Sequence, residues 1–203
     1  MHAAARAGHH VIGLSYLSQP FATAQANAWC LAQAAGSGVA FADLVEACDR
    51  ELHELLLFGR ATSPSLKGRS HNLWSVEAKD SVEELIIAVL HATPWGSAFL
   101  HKNHSVRWSR VVVSGHSQGA SHAAYLALMT HVRAVLFSGP QDCGNCSAGW
   151  LRAITASGVA WRALFHEHEE CGPQPRDPAS YCEKNLMIQN LRRMGGRAPT
   201  VWN

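Results

Sequence analysis

Hydrophobic positions alternate between two periods along the chain. Residues 9–17 (His-His-Val-Ile-Gly-Leu-Ser-Tyr-Leu) form a short apolar run between a glycine and Ser-Gln-Pro, which predicts a buried strand. The residues ahead of it have the composition of a helix end. Over 41–58, Leu44, Val45, Ala47, Cys48, Leu52 and Leu55 recur at helical spacing with charges between them, predicting an amphipathic helix with Cys48 on its inner side. Residues 59–72, rich in Ser, Gly and Pro, predict a surface loop. A second helix opens near Asp80 or Ser81, with Glu83 and Glu84 available for a capping box, and turns Val82, Leu85, Ile86, Val89 and Leu90 inward.

Thr93-Pro94-Trp95-Gly96 ends that helix, and the β-branched run 108–115 (Trp-Ser-Arg-Val-Val-Val-Ser-Gly) predicts a central strand. It gives way at once to helical composition over 118–130, with Ala120, Ala123, Ala124 and Ala127 among larger apolar residues. Two more apolar strands follow. One, at 132–137, is ended by Ser138-Gly139-Pro140; the other, at 159–165, is ended by a polar cluster at 166–170. A helix at 179–194 closes on Gly195-Gly196, and 198–203 turns extended. Alternating strands and helices predict an α/β fold in a single domain over 1–203, with three layers and a mostly parallel sheet covered on both faces.

Composition narrows the function. With 47 % hydrophobic residues among 203, the chain can bury one substantial core. A net charge of +2 from only 16 % charged residues builds no single-sign field for nucleic acid. The longest apolar runs are far short of a membrane span. The six cysteines fall as Cys30 with Cys48, Cys143 with Cys146, and Cys171 with Cys182; they permit disulfides or reduced buried thiols alike and leave the compartment open. Cys143-Gly-Asn-Cys146 has zinc or redox spacing but no second pair at the usual distance, so no metal or other cofactor is expected.

One constellation carries chemistry. Gly115-His116-Ser117-Gln118-Gly119 matches G-x-S-x-G, and it joins a β-branched strand directly to a small-residue helix. That context is what a nucleophile elbow requires: a sharp bend aims the serine hydroxyl out from the C-terminal edge of the sheet. Glycines at 115 and 119 are expected so that strand and helix approach closely. The Gln118 amide, opening the helix, would face a developing oxyanion. Gly-rich turns also serve structural or phosphate-binding ends in doubly wound sheets, but a phosphate loop would need a lysine and further glycines.

The run Val-Val-Val-Ser-Gly-His-Ser-Gln-Gly-Ala, followed by His-Ala-Ala-Tyr, resembles the elbow of α/β-hydrolases of the serine esterase and lipase type. The likeness extends to residues 133–142 and 161–169, to Leu14-Ser15-Tyr16 and to the Cys30 and Cys48 pair. It implies an α/β-hydrolase fold without the first strands and the end of the last one, and a Ser117 acyl-enzyme acting on a small-molecule ester or related acyl substrate. It also implies an acid after one of the two strands beyond the elbow. Glu169, with Glu167 or Glu170 as substitutes, competes with Asp142 for that role.

The general base departs from the resemblance. No histidine follows His168, so the base is expected either beyond Asn203, in a chain truncated at both ends, or at His166 or His168 with Asp142 as orienter. The second oxyanion donor has no counterpart ahead of Val11. Two further classes stay open from the residues alone: a non-catalytic member of the fold that binds a ligand or partner in the cleft, and a nucleotide-binding doubly wound domain.

Overall fold

The computed structural model describes residues 2–16, 41–60, 76–140, 149–166, 183–195 and 200–202. The centre is a four-stranded, all-parallel sheet of β1 (Val112–His116), β2 (Arg133–Phe137), β3 (Trp161–His166) and β4 (Thr200–Trp202), in spatial order 1-2-3-4. The described residues also form six α-helices: α1 (His2–Arg6), α2 (Phe41–Phe58), α3 (Val82–Ala92), α4 (Gln118–Thr130), α5 (Gly149–Ser157) and α6 (Glu183–Arg193). The predicted α/β class and parallel sheet are present.

Burial follows the pairing register. Gly115 stands beside Leu136, and Val113 beside Ala134, so these share the face against which α4 packs. Ala134 and Leu136 are buried there, while Val132 just ahead of β2 has no exposure. On the opposite face, Val112 beside Arg133 and His116 beside Phe137 are all exposed, Val112 by 50 % and Phe137 by 40 %. At these residues the described helices leave that face of the sheet uncovered. The physical reason is the strand order: each strand lies beside its predecessor, and crossovers of one hand place successive helices on one side. In keeping with this, α4 packs on β1 and β2, α5 on α4, and α6 on α5.

Three local readings need amendment. Residues 9–16 form no hydrogen-bonded strand, yet they keep a strand's alternation: Ile12, Leu14 and Tyr16 are half-buried against the core, while Val11, Gly13 and Ser15 are exposed. A ladder needs a neighbouring strand, and β1 bonds to β2 alone among the described strands. The run predicted from 108 begins with a 3₁₀ turn, Trp108–Arg110, before β1 starts. Helix α5 was not expected from the sequence; it buries Trp150, Leu151 and Ile154, the apolar spacing of one helix face. The predicted loop over 59–72 lies outside the described residues from position 61 onward.

Helix α2 departs most from simple amphipathicity. Val45, Cys48, Asp49, Leu52, His53 and Leu56 recur at spacings of three and four and are all buried. Glu51 and Glu54, at 3 % and 1 % exposure, are buried beside them. The charges predicted to sit between apolar positions are therefore partly interior, and most have partners on other helices. The Tyr125 hydroxyl of α4 donates to Glu54 Oε1 at 3.0 Å. Trp150 of α5 donates its indole N–H to Asp49 Oδ2 at 3.0 Å and its backbone N–H to Glu46 Oε1 at 3.1 Å. A seam of carboxylate, imidazole and aromatic groups thus joins α2 to α4 and α5, where the low dielectric strengthens each bond and raises the cost of removing one partner. Cys48, on the inner side of α2 as expected, is disulfide-bonded; Cys30, its expected mate, lies outside the described residues.

Candidate active site

β1 runs into α4 through one residue, Ser117, which caps the helix with φ 54° and ψ −121°. This conformation is costly for a residue with a Cβ, by roughly 1–3 kcal/mol, and it persists where surrounding structure over-determines it. The restraints are visible here. The Ser117 N–H donates to the Phe137 carbonyl at 2.9 Å, tying the bend to the end of β2, and the Ala120 N–H donates to the Ser117 carbonyl at 2.9 Å. The serine side chain makes no capping bond to its own helix, and the residue is half-buried. Serine ordinarily favours this position because it can cap, so the bend holds a side chain to a purpose other than capping.

The two motif glycines differ in their reasons. A Cβ at Gly115 would lie 1.8 Å from the Gly119 carbonyl oxygen and 2.6 Å from the Ala120 nitrogen, so the strand-to-helix crossing requires glycine there. At Gly119 the close atom among the described residues is the Tyr16 hydroxyl, 3.6 Å from where a Cβ would stand, which is ordinary contact. The expectation that close packing demands both glycines is corrected: among the described residues, packing demands only the first.

Gln118 is half-buried and supplies the first residue of α4. Amides of a first helical turn point outward along the axis, toward the positive end of the helix dipole. The neighbouring exit from β2 closes on the same bend. Ser138 takes φ 51°, and a Cβ on Gly139 would meet Ala120 Cβ at 2.6 Å and the Ser117 carbonyl oxygen at 2.9 Å. The Gly139–Pro140 peptide is cis, and buried Asn190 of α6 donates to the Pro140 carbonyl at 3.2 Å. The segment leading to residue 142 therefore starts pressed against the elbow.

Behind the elbow lies a buried histidine pair. His122 of α4 and His53 of α2 bring their Nδ1 atoms to 2.9 Å, so one nitrogen donates and the other accepts. The His53 ring stacks on Tyr125 with centroids 4.9 Å apart, and its Nε2 lies 4.0 Å from Asp49 Oδ2. Tyr16 meets the His122 ring edge-on at 5.8 Å. Burial raises the Tyr16 hydroxyl above its ordinary value of 10.0. The sequence names Tyr16 only within the resemblance and gives it no role; its tertiary position beside Gly119 marks it.

Of the other candidates, Asp142, His168, Glu167, Glu169 and Glu170 lie outside the described residues. His166 ends β3. Among the described residues no group of three His, Cys, Asp or Glu is placed to hold a metal ion, and no helix is long and apolar enough to cross a membrane. No protein-family model, no curated protein and no solved structure matches this chain.

Proposed function

We propose that the chain is a serine hydrolase domain of the three-layer α/β-hydrolase type, acting on carboxylic ester or related acyl bonds through a Ser117 acyl-enzyme. The observation that supports it best is the backbone of Ser117: a non-glycine residue at φ 54°, alone between a parallel strand and a helix, its side chain spared from capping. The chemistry then follows from what each group can do. Ser117 Oγ attacks the acyl carbon, and the carbonyl electron pair moves onto oxygen. The Gln118 N–H, at the positive end of α4, stabilises that charge. The serine proton passes to His168, which in this reading is the general base, with Asp142 holding the imidazole in the productive tautomer.

Connectivity favours this assignment. The strands are parallel, so the chain leaves β2 and β3 at the edge where it leaves β1 into the elbow. Asp142 follows the first exit in sequence, and His168 and Glu169 follow the second. Collapse of the tetrahedral species expels the alcohol with the proton taken from Ser117, and water then hydrolyses the acyl-enzyme by the same route.

A fluorophosphonate probe tests the reading. Labelling of the folded protein that disappears in Ser117→Ala is expected; a folded protein that takes no label, or a Ser117→Ala variant that still does, overturns it.

A further inference from the structure

The elbow by itself offers one backbone donor to an oxyanion, whereas acyl transfer is served best by two. We propose that the Tyr16 side-chain hydroxyl is the second donor to the acyl oxygen at Ser117. The inference rests on the hydrolase reading above and deepens it.

Position comes first. Tyr16 ends the stretch in which Ile12, Leu14 and Tyr16 turn toward the core, so packing of that stretch fixes the height of its ring. The ring is held laterally by its edge-on contact with His122, which is itself fixed by the 2.9 Å bond to His53. So held, the ring brings its hydroxyl to 3.6 Å from the Cβ position of Gly119, the residue next to Gln118. Tyr16 is only half-buried. A donor so placed lies beside the first turn of α4, where negative charge is already favoured.

Glycine at 119 now has a reason. Packing does not require it, but a methyl there would stand in van der Waals contact with the hydroxyl and cover its approach. The proton is available as well, because burial holds the phenol above its ordinary range and so keeps it a donor at neutral pH. In the addition step the Oγ–C bond forms, the carbonyl π pair becomes an oxyanion lone pair, and the Ser117 proton goes to the general base. Tyr16 keeps its own proton and shares it with the oxyanion. When the leaving-group bond breaks, the pair returns to the carbonyl and the hydrogen bond relaxes.

The test is the rate of fluorophosphonate labelling of the whole chain as a function of probe concentration, for wild type, Tyr16→Phe, Gly119→Ala and Ser117→Ala. Phosphonylation also builds charge on an oxygen, so it feels the same donors. The expected result for Tyr16→Phe is an unchanged melting temperature, an unchanged half-saturating concentration and a maximal rate lower by about a hundredfold, the scale of losing one oxyanion donor. Gly119→Ala is expected to fold and to slow labelling too, by partly covering the hydroxyl. Should Tyr16→Phe melt early, Gly119→Ala decides alone. Wild-type rates in the folded variants would sink the Tyr16 proposal and leave Ser117 standing, as would a loss confined to the half-saturating concentration. Absence of label on wild type would sink both.

Discussion

Glu51 offers the sharpest check on the buried seam of α2. Its residue is 3 % exposed, and its Oε2 has no hydrogen-bond partner among the described residues. Burial, reinforced by the nearby Glu54 carboxylate, raises its pKa from 4.5 to about 7. The folded protein therefore holds a proton that the unfolded chain gives up more readily. Stability from this group is fully present below the unfolded value of 4.5 and is lost as pH rises through about 7. At 1.36 kcal/mol for each pKa unit, a rise from 4.5 to about 7 corresponds to about 3.4 kcal/mol at alkaline pH, which solvent screening reduces to about 2–3 kcal/mol. Glu51→Gln keeps the shape of the carboxyl and cannot ionise. Denaturant unfolding of both proteins near pH 5 and near pH 8.5 should show curves close together in acid, with the variant more stable by about 2 kcal/mol in base. The comparison cancels every group that the two proteins share. Equal stabilities at both pH values, or a variant weaker in base, would refute the claim that this carboxyl is held away from water without a partner.

Three other perturbations probe separate joints. Gly115→Ala places a methyl 1.8 Å from the Gly119 carbonyl oxygen, so it should unfold the domain or lower its melting temperature by many degrees, whereas Gly119→Ala should melt near wild type in the same calorimeter. Ser81 caps α3 by accepting from the Glu84 N–H at 3.4 Å and is wholly buried; Ser81→Ala should cost about 1 kcal/mol by urea titration, and Ser81→Asp should recover less than expected because the site has no room for a charge. Tyr125→Phe leaves Glu54 at 1 % exposure without its 3.0 Å donor and should cost about 1–3 kcal/mol, a loss that Glu54→Gln in the same chain should reduce, as a double-mutant cycle would report.

What the sequence discloses and what it hides follow from the distance over which each feature is decided. Helix α2 was predicted with the observed ends, because an apolar stripe at spacings of three and four depends on nothing outside the segment. The burial of its carboxylates was not, since the groups that satisfy them stand 71 and 101 residues away, at Tyr125 and Trp150. A Glu among apolar neighbours looks solvated until its partner is known. Helix α5 escaped notice because nine residues bury only a short stripe, and its tryptophan gains its meaning from α2. Residues 9–16 differ in the opposite direction: the apolar run predicts a buried strand, but a strand is defined by bonds to a neighbour, and Ile12, Leu14 and Tyr16 pack on the core without them.

The same reasoning separates the two halves of the proposed site. The bend at Ser117 is a local object, completed by a strand end, one residue at φ 54° and a helix start, so five letters in the right flanking context suffice to predict its backbone. Everything that would make the serine useful is brought from elsewhere by the fold. Gly139 is pressed to the Ser117 carbonyl by the close of β2, and Tyr16 is steered to Gly119 by a histidine pair that spans two helices. Of the two glycines in the motif, the one that local geometry explains is Gly115. The other faces a hydroxyl a hundred positions earlier in the chain, and measured labelling rates on Gly119→Ala and Tyr16→Phe decide between chemical access and packing as its reason.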